Sequence, residues 1–173
     1  MKKTIAILMM SAVSLSGCAV MNAIDASNER SQNRALDTIY PTHAERDAIL
    51  KRAATESVVD KNIIGNTWLQ VSVDDKGRTY FVDTSVRNTK NTATSEVKVL
   101  DVDQSYKIAT YQFFCYQGYG RKLFGDSYTA DHQKKFQLIG FGPGEDYDRR
   151  PYSFEEPYAK ALCALGGFSR DAT

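Results

Sequence analysis

Apolar and polar residues alternate along much of the chain, and this period of two predicts a sheet. In residues 68–73 every second side chain is apolar, as in a strand with one buried face. The polar run 74–77 supplies a turn, and residues 78–83 form the return strand of a hairpin. Further strands, separated by turn signals and by a polar loop at 88–92, are predicted over residues 96–102, 106–116, 122–129 and 135–141. This spacing indicates about six antiparallel strands.

A helix is predicted before the sheet. Thr42 and Glu45 have the spacing of a capping box, in which each side chain bonds to the other residue's backbone N–H. Helix-forming residues continue to about Val59. The apolar stripe, with Ile49 and Ala53, is weak. The pattern therefore leaves open whether this helix packs on the domain or on a partner.

A second helix is predicted near the C-terminus. Pro157 suits the first helical position. Tyr158, Leu162 and Leu165 then form one apolar stripe, and the glycine pair at 166–167 offers a left-handed stop. Helices before and after an antiparallel sheet predict an α+β fold.

The apolar run at the N-terminus has the length of a secretory signal. After Lys2 and Lys3, residues 4–13 are mostly apolar, whereas a membrane span needs about 20 such residues. The segment Leu-Ser-Gly-Cys at 15–18 resembles the lipobox of bacterial lipoproteins. This resemblance predicts cleavage before Cys18 and lipid on its sulfur. The alternative is an ordinary secretory signal in which Cys18 is incidental.

Lipid on Cys18 implies anchoring to a membrane, because stable anchoring requires more than one acyl chain and lipoproteins carry several. Ala19 follows the cysteine instead of Asp, which by the enterobacterial sorting pattern implies the outer membrane. Which side of that membrane the domain faces stays open. The predicted organisation is a signal peptide (1–17), a polar lipidated tether (18–41), an N-terminal helix (42–60) and a sheet domain (61–173).

The charge and the cysteine content narrow the class of protein further. Without Lys2 and Lys3, the 22 basic residues fall to 20 against 21 acidic ones, a formal charge of −1 that predicts no nucleic-acid partner.

Cys115 and Cys163 remain after Cys18 is assigned to lipid. An exported compartment permits disulfides, so one bridge is the simplest interpretation and two free thiols the alternative. The bridge would join the terminal helix to the sheet.

Three segments resemble the surface-adhesin protein E family of bacterial outer-membrane lipoproteins. They are Gly-Arg-Thr-Tyr-Phe-Val-Asp-Thr-Ser-Val at 77–86, Tyr-Gln-Phe-Phe-Cys-Tyr at 111–116, and Ala-Leu-Cys-Ala at 161–164 followed by Gly166 and Phe168. The resemblance spans about residues 66–170. It implies a sheet of about six strands with a C-terminal helix disulfide-tethered to one face, and often a homodimer. It also implies binding of host extracellular-matrix and serum proteins such as vitronectin, laminin and plasminogen.

The chain departs from this family at one functional position. In the best-known member a Lys-Arg pair shortly before the first bridged cysteine binds vitronectin. Here the corresponding region reads Asp-Val-Asp at 101–103, with the opposite charge. No binding residue is therefore carried over from the family.

An enzymatic role is not expected. The two histidines, His43 and His132, stand in polar surroundings, and the chain contains no zinc-ligand spacing and no GxSxG motif. The acidic run at 145–148 lacks the spacing of a calcium-binding EF-hand and is followed by two arginines. We expect no catalytic residue, no metal and no cofactor.

Aromatic residues are concentrated in the central strands. The first interpretation is that these rings fill the core and cover the second face of the sheet. The alternative is that some of them form an exposed patch for dimerisation or for recognition of a ligand. Tyr116, Tyr119, Arg121 and Lys122 are the candidate binding rim. The expected function is a non-enzymatic, lipid-anchored outer-membrane lipoprotein that binds another protein, as a surface adhesin for host proteins. The alternative is a periplasm-facing structural or assembly lipoprotein that contacts other envelope components.

Overall fold

The computed structural model describes residues 39–60, 66–139 and 158–171, all within one compact unit. The predicted signal peptide, Cys18 and most of the predicted tether lie outside these ranges. The described elements are, in chain order, α1 His43–Glu56, β1 Val58–Val59, β2 Thr67–Val73, β3 Thr79–Asp83, β4 Arg87–Asn88, β5 Ala93–Leu100, β6 Tyr106–Phe114, β7 Tyr119–Tyr128, β8 Lys134–Ile139 and α2 Ala159–Leu165. Both helices are too short or too polar to cross a membrane.

The eight described strands form a single antiparallel sheet, so the predicted α+β class is confirmed. Strands follow the order β1-β2-β3-β5-β6-β7-β8, with β4 beside β5. The prediction of about six strands was low because β1 and β4 have only two residues each. A strand that short has no alternation of its own. It forms by pairing with an extended neighbour, as where β4, which ends in the predicted loop at Asn88, pairs with Thr94 and Ala93 of β5.

Strands β5 and β6 end earlier than predicted, because a turn follows each of them. β5 ends at Leu100 because a turn follows, in which the Asp101 N–H donates to the Ser105 carbonyl (2.8 Å). β6 ends at Phe114, and a 3₁₀ turn, Cys115–Gln117, leads into Gly118 at φ 69°. Cys115 therefore lies just after the strand rather than within it.

Helix α1 begins with the predicted capping box. The Thr42 N–H donates to Glu45 Oε2 (2.8 Å), and the Glu45 N–H donates to Thr42 Oγ1 (3.3 Å). The predicted end at Val59 was wrong, because the helix stops at Glu56 and the β-branched pair Val58–Val59 forms β1 against β2.

Helix α1 packs on the domain, which is one of the two alternatives that its weak apolar stripe left open. Lys160 of α2 forms an ion pair with Glu45 (2.8 Å), and Arg52 donates to the carbonyl of Gln70 (2.8 Å). No residue of α1 is fully buried. The segment just before it is anchored instead by Ile39 and Pro41, which are both less than 2% exposed although they belong to the predicted tether.

The main core lies between α2 and one face of the sheet. Phe113 from β6 and Tyr158 and Leu162 at α2 are all buried, and the Tyr158 ring packs on Tyr80 of β3 (centroids 6.0 Å apart). The disulfide between Cys115 and Cys163 is confirmed, with both residues fully buried. It ties α2 to the end of β6.

The predicted glycine stop of α2 is also present. Gly167 has φ 84°, and the Phe168 N–H returns to the carbonyl of Cys163 (3.0 Å). Pro157, predicted to open this helix, lies outside the described ranges.

Candidate functional site

The face of the sheet opposite α2, here called the second face, carries a groove. Glu96, Thr110 and Phe124 lie directly opposite one another on β5, β6 and β7. Paired residues of antiparallel strands project to the same side, so these three side chains form a row across the sheet. Two cavities of about 370 and 240 Å³ adjoin this row, and both are lined by all three residues and by Asn66. We call these two cavities the second-face groove.

Hydrogen bonds organise the acidic wall of the groove. The Asn66 side-chain amide donates to Asp83 Oδ2 (3.1 Å) and to Glu96 Oε2 (2.6 Å). Asp83 also accepts from the backbone N–H of Ser85 (3.1 Å) and, more weakly, of Thr67 (3.3 Å). Asp83 is thereby well satisfied, whereas Glu96 accepts this single bond from the described residues.

Thr110 is the unusual member of the row. It is only 4% exposed, and its hydroxyl forms no hydrogen bond with any described residue. The fully buried side-chain atoms that lack a partner in the described residues include Ser57 Oγ and Trp68 Nε1 but not this hydroxyl, which is reached from the groove that Thr110 lines. Its neighbour Phe124, by contrast, is 52% exposed. The groove thus combines an unpaired hydroxyl with an aromatic ring open to solvent.

A caged lysine occupies the second face beside the groove. The ammonium of Lys98 lies 2.6 Å from Asp60 Oδ2 and 5.0, 5.7 and 6.0 Å from the ring centres of Tyr106, Phe81 and Trp68. Such distances permit cation–π attraction. The alternation pattern did not predict this site, although a lysine alternating with apolar residues in β5 was a visible signal. Its role is to fasten Asp60, which directly follows β1, to the sheet.

Half of the candidate binding rim lies on the second face. The ring of Tyr119 stacks on Phe114 (centroids 4.6 Å apart). Arg121 donates to Gln112 Oε1 (2.7 Å), and its guanidinium lies 5.9 Å from the Phe114 ring centre. The structure therefore brings Tyr119 and Arg121 together.

The other half of the rim lies elsewhere. Tyr116 is 52% exposed and contacts the rings of Tyr40 and Phe168, at centroid distances of 5.1 and 5.3 Å, near the C-terminal segment. Lys122 pairs with Tyr111, and Tyr111 belongs to the face that packs on α2. Tyr116 and Lys122 thus do not join Tyr119 and Arg121 in one patch.

The contact between Tyr116 and Tyr40 affects ionisation. Burial, followed by the hydrogen bond with Tyr116, raises the pKa of Tyr40 from 10.0 to about 12. The Tyr40 hydroxyl also donates to the carbonyl of Ser169 (2.8 Å). This tyrosine is therefore held in its neutral form where the N-terminal and C-terminal segments meet.

A serine, a histidine and a carboxylate also meet where the N-terminal and C-terminal segments join, an arrangement that the sequence pattern did not predict. His43 Nδ1 lies 2.6 Å from Ser169 Oγ, and Nε2 lies 3.2 Å from Asp171 Oδ1. Arg46 donates to the same Ser169 Oγ (2.9 Å). A hydrolytic triad relies on a buried carboxylate and on preorganised oxyanion donors. Here the Asp171 side chain is 96% exposed, so we interpret the cluster as a clasp between α1 and the C-terminal segment.

Metal ligands are not gathered in the described ranges, where no three His, Cys, Asp or Glu side chains are placed to hold an ion. His132, in the turn before β8, has Nδ1 at 3.1 Å from the Tyr106 hydroxyl and so takes part in the aromatic packing of the second face.

Comparisons with protein-family models, with curated proteins and with solved structures found no match.

Proposed function

We propose that this protein is a lipid-anchored lipoprotein of the bacterial outer membrane whose sheet domain binds another protein through the second face. The observation that carries the binding role is the groove beside Phe124, a large apolar side chain of β7 that remains 52% exposed. Exposed rings beside polar groups are typical of protein interfaces.

Two further observations support export and anchoring. The buried Cys115–Cys163 disulfide suits an oxidising compartment outside the cytoplasm. The lipobox-like segment at 15–18 provides the cysteine for lipid attachment. The resemblance to the surface-adhesin protein E family makes a host extracellular-matrix or serum protein the first partner class to test.

The anchor is tested by metabolic labelling with a palmitate analogue. We expect label on the wild-type protein and none on Cys18→Ser. Cys115→Ser serves as the matched control, because it removes a cysteine without removing the lipid site. Equal labelling of wild type and Cys18→Ser would refute lipid attachment at Cys18.

The side of the outer membrane that the domain faces is tested by adding protease or antibody to intact and to permeabilised cells. Degradation on intact cells would support a surface adhesin. Protection until permeabilisation would remove the adhesin role and favour the periplasm-facing structural alternative.

The binding face is tested with a photo-crosslinking amino acid at Phe124, compared with one at Lys51, which is exposed on α1. We expect a specific adduct from position 124 and none from position 51. Equal yields from both positions would argue against a role for the second face.

A further inference from the structure

We propose that the smaller cavity of the second-face groove, of about 240 Å³, binds the guanidinium group of an arginine side chain presented by the protein partner. This inference rests on the proposed protein-binding function and names the chemistry that the groove recognises.

Charge favours a cation in the smaller cavity. Its walls include the carboxylates of Glu96 and Asp126 and no Lys or Arg side chain. Asp126 already has a partner in Lys134 (2.7 Å). Glu96 is partly buried and forms no ion pair with any described residue, and its carboxylate accepts its one side-chain bond from the neutral amide of Asn66. Arg87 lines only the larger cavity.

The hydroxyl of Thr110, which lines the groove without a hydrogen-bond partner in the described residues, is a second and independent indication of a ligand. Thr110 lies between Glu96 and Phe124 in the row and lines both cavities. Its hydroxyl lacks a described partner, and an N–H donor entering the groove would provide one. Glu96 Oε1 and Thr110 Oγ1 together offer two adjacent acceptors to a forked donor group.

The aromatic walls favour guanidinium over ammonium. Phe124 is half exposed, and the same cavity is lined by Tyr128, which stacks on Tyr106 (centroids 4.8 Å apart). A planar guanidinium stacks on rings and bonds carboxylates at the same time, whereas an ammonium is a compact and strongly hydrated charge.

The size of the cavity favours one side chain over a whole small molecule. The smaller cavity measures about 240 Å³, below the roughly 300–1,000 Å³ of sites that enclose drug-sized ligands. It opens to the surface beside Phe124. A side chain projecting from a docked protein would fit this shape, with the partner's backbone remaining outside.

The test is an NMR titration of the full mature lipoprotein in detergent with N-acetyl-L-arginine amide. The neutral near-isostere N-acetyl-L-citrulline amide and N-acetyl-L-lysine amide are titrated in parallel. We expect the arginine probe to shift backbone signals around Glu96, Thr110, Phe124 and Tyr128, with weaker binding of lysine and none of citrulline. Shifts of equal size with citrulline, or equal affinity for lysine, would overturn the assignment.

Two variants locate the site. Glu96→Gln should weaken arginine binding by at least roughly tenfold, since it removes the charge but keeps an acceptor oxygen for Asn66. Thr110→Val should weaken it by about three- to tenfold while leaving the melting temperature close to that of wild type, because the hydroxyl that the variant removes forms no hydrogen bond within the described residues. Glu56→Gln, which alters an exposed carboxylate on α1, is the matched control and should bind like wild type. Unchanged affinity in Glu96→Gln would refute the proposal.

The same variant separates this inference from the proposed function. If Glu96→Gln formed the Phe124 crosslink with a partner as efficiently as wild type, the arginine site would be refuted while the protein-binding role remained. A crosslink lost in Glu96→Gln but kept in Glu56→Gln would support both.

Discussion

A single carboxylate organises the hairpin between β2 and β3. Asp74 accepts hydrogen bonds from the backbone N–H groups of Lys76 (3.0 Å) and Arg78 (2.9 Å), from Arg78 Nε (2.6 Å) and from the Tyr80 hydroxyl (3.0 Å). Gly77 provides the positive φ of 76° that the turn needs. Desolvation acts to raise the pKa of Asp74, but these bonds outweigh it and lower the pKa from 3.8 to about 2. The turn is thereby joined to Tyr80 in the core.

This ionisation predicts a specific acid sensitivity. The folded pKa lies below the unfolded value, so the stabilisation is present above about pH 4 and is lost as pH falls toward about 2. We expect the unfolding free energy of wild type to fall more steeply over this window than that of Asp74→Asn, measured by urea denaturation at several pH values. Asp75→Asn, an exposed neighbour in the turn, should behave like wild type. Parallel curves for wild type and Asp74→Asn would contradict the prediction.

Tyr40 predicts the opposite, alkaline sensitivity. Its folded pKa is raised from 10.0 to about 12, so the stabilisation is present below about pH 10 and is lost as pH rises through about 12. Tyr40→Phe should remove this dependence and cost about 1 kcal/mol at neutral pH through the lost bond to Ser169. Urea denaturation between about pH 8 and 12 measures both effects. Tyr119→Phe, which alters a ring on the second face, is the control, and an identical alkaline profile in Tyr40→Phe would exclude this role.

At the scale of elements, α2 depends on its covalent tie and on burial. It has only seven residues, and isolated helices shorter than about 12–15 residues are marginal in water. Five of its residues are buried. The helix is therefore held in place by the core and by the Cys115–Cys163 disulfide, while its intrinsic helix propensity contributes little.

Loss of this disulfide should destabilise the domain strongly. Closing a sequence separation of 48 residues contributes about 4 kcal/mol in the chain-entropy account. We expect Cys115→Ala/Cys163→Ala to lose unfolding free energy of that order, measured by urea denaturation. Because both cysteines are fully buried, native protein should resist mild reductant and react only after partial unfolding. A double variant as stable as wild type would show that packing alone retains α2.

At the scale of the whole molecule, the two faces of the sheet have different roles. One face is closed by α2 over buried rings, including Phe113 and Tyr158. The second face keeps polar groups beside aromatic ones, as antiparallel sheets with one solvated face commonly do. The α1–β1 segment reaches both faces, since Ile49 packs on the main core and Asp60 pairs with Lys98 on the second face.

The Asp60–Lys98 pair should therefore matter more than an ordinary surface ion pair. Both side chains are less than one fifth exposed, at 16% and 14%. Lys98→Met should cost about 1–3 kcal/mol of unfolding free energy, because the Asp60 carboxylate loses its charge-assisted bond. Lys107→Met, at an exposed position of β6, should cost much less. Equal effects would show that the cage contributes nothing beyond a surface charge.

Features that arise between neighbours in sequence were predictable. The capping box needs only Thr42 and Glu45, the helix stop needs Gly167, and the hairpin follows from alternation on either side of a polar turn. These interactions are local, so their geometry is already contained in a few consecutive residues. Even the disulfide followed from chemistry alone, because Cys115 and Cys163 were the one pair left after Cys18.

Features that depend on strand register emerged only from the folded chain. Glu96, Thr110 and Phe124 are each separated from the next by 14 residues in sequence, and pairing of β5, β6 and β7 makes them neighbours. A shift of one residue would send each side chain to the other face. The alternation pattern predicted strands but carried no information on their register. The four rim residues were therefore wrongly grouped into one patch, and the groove was not predicted.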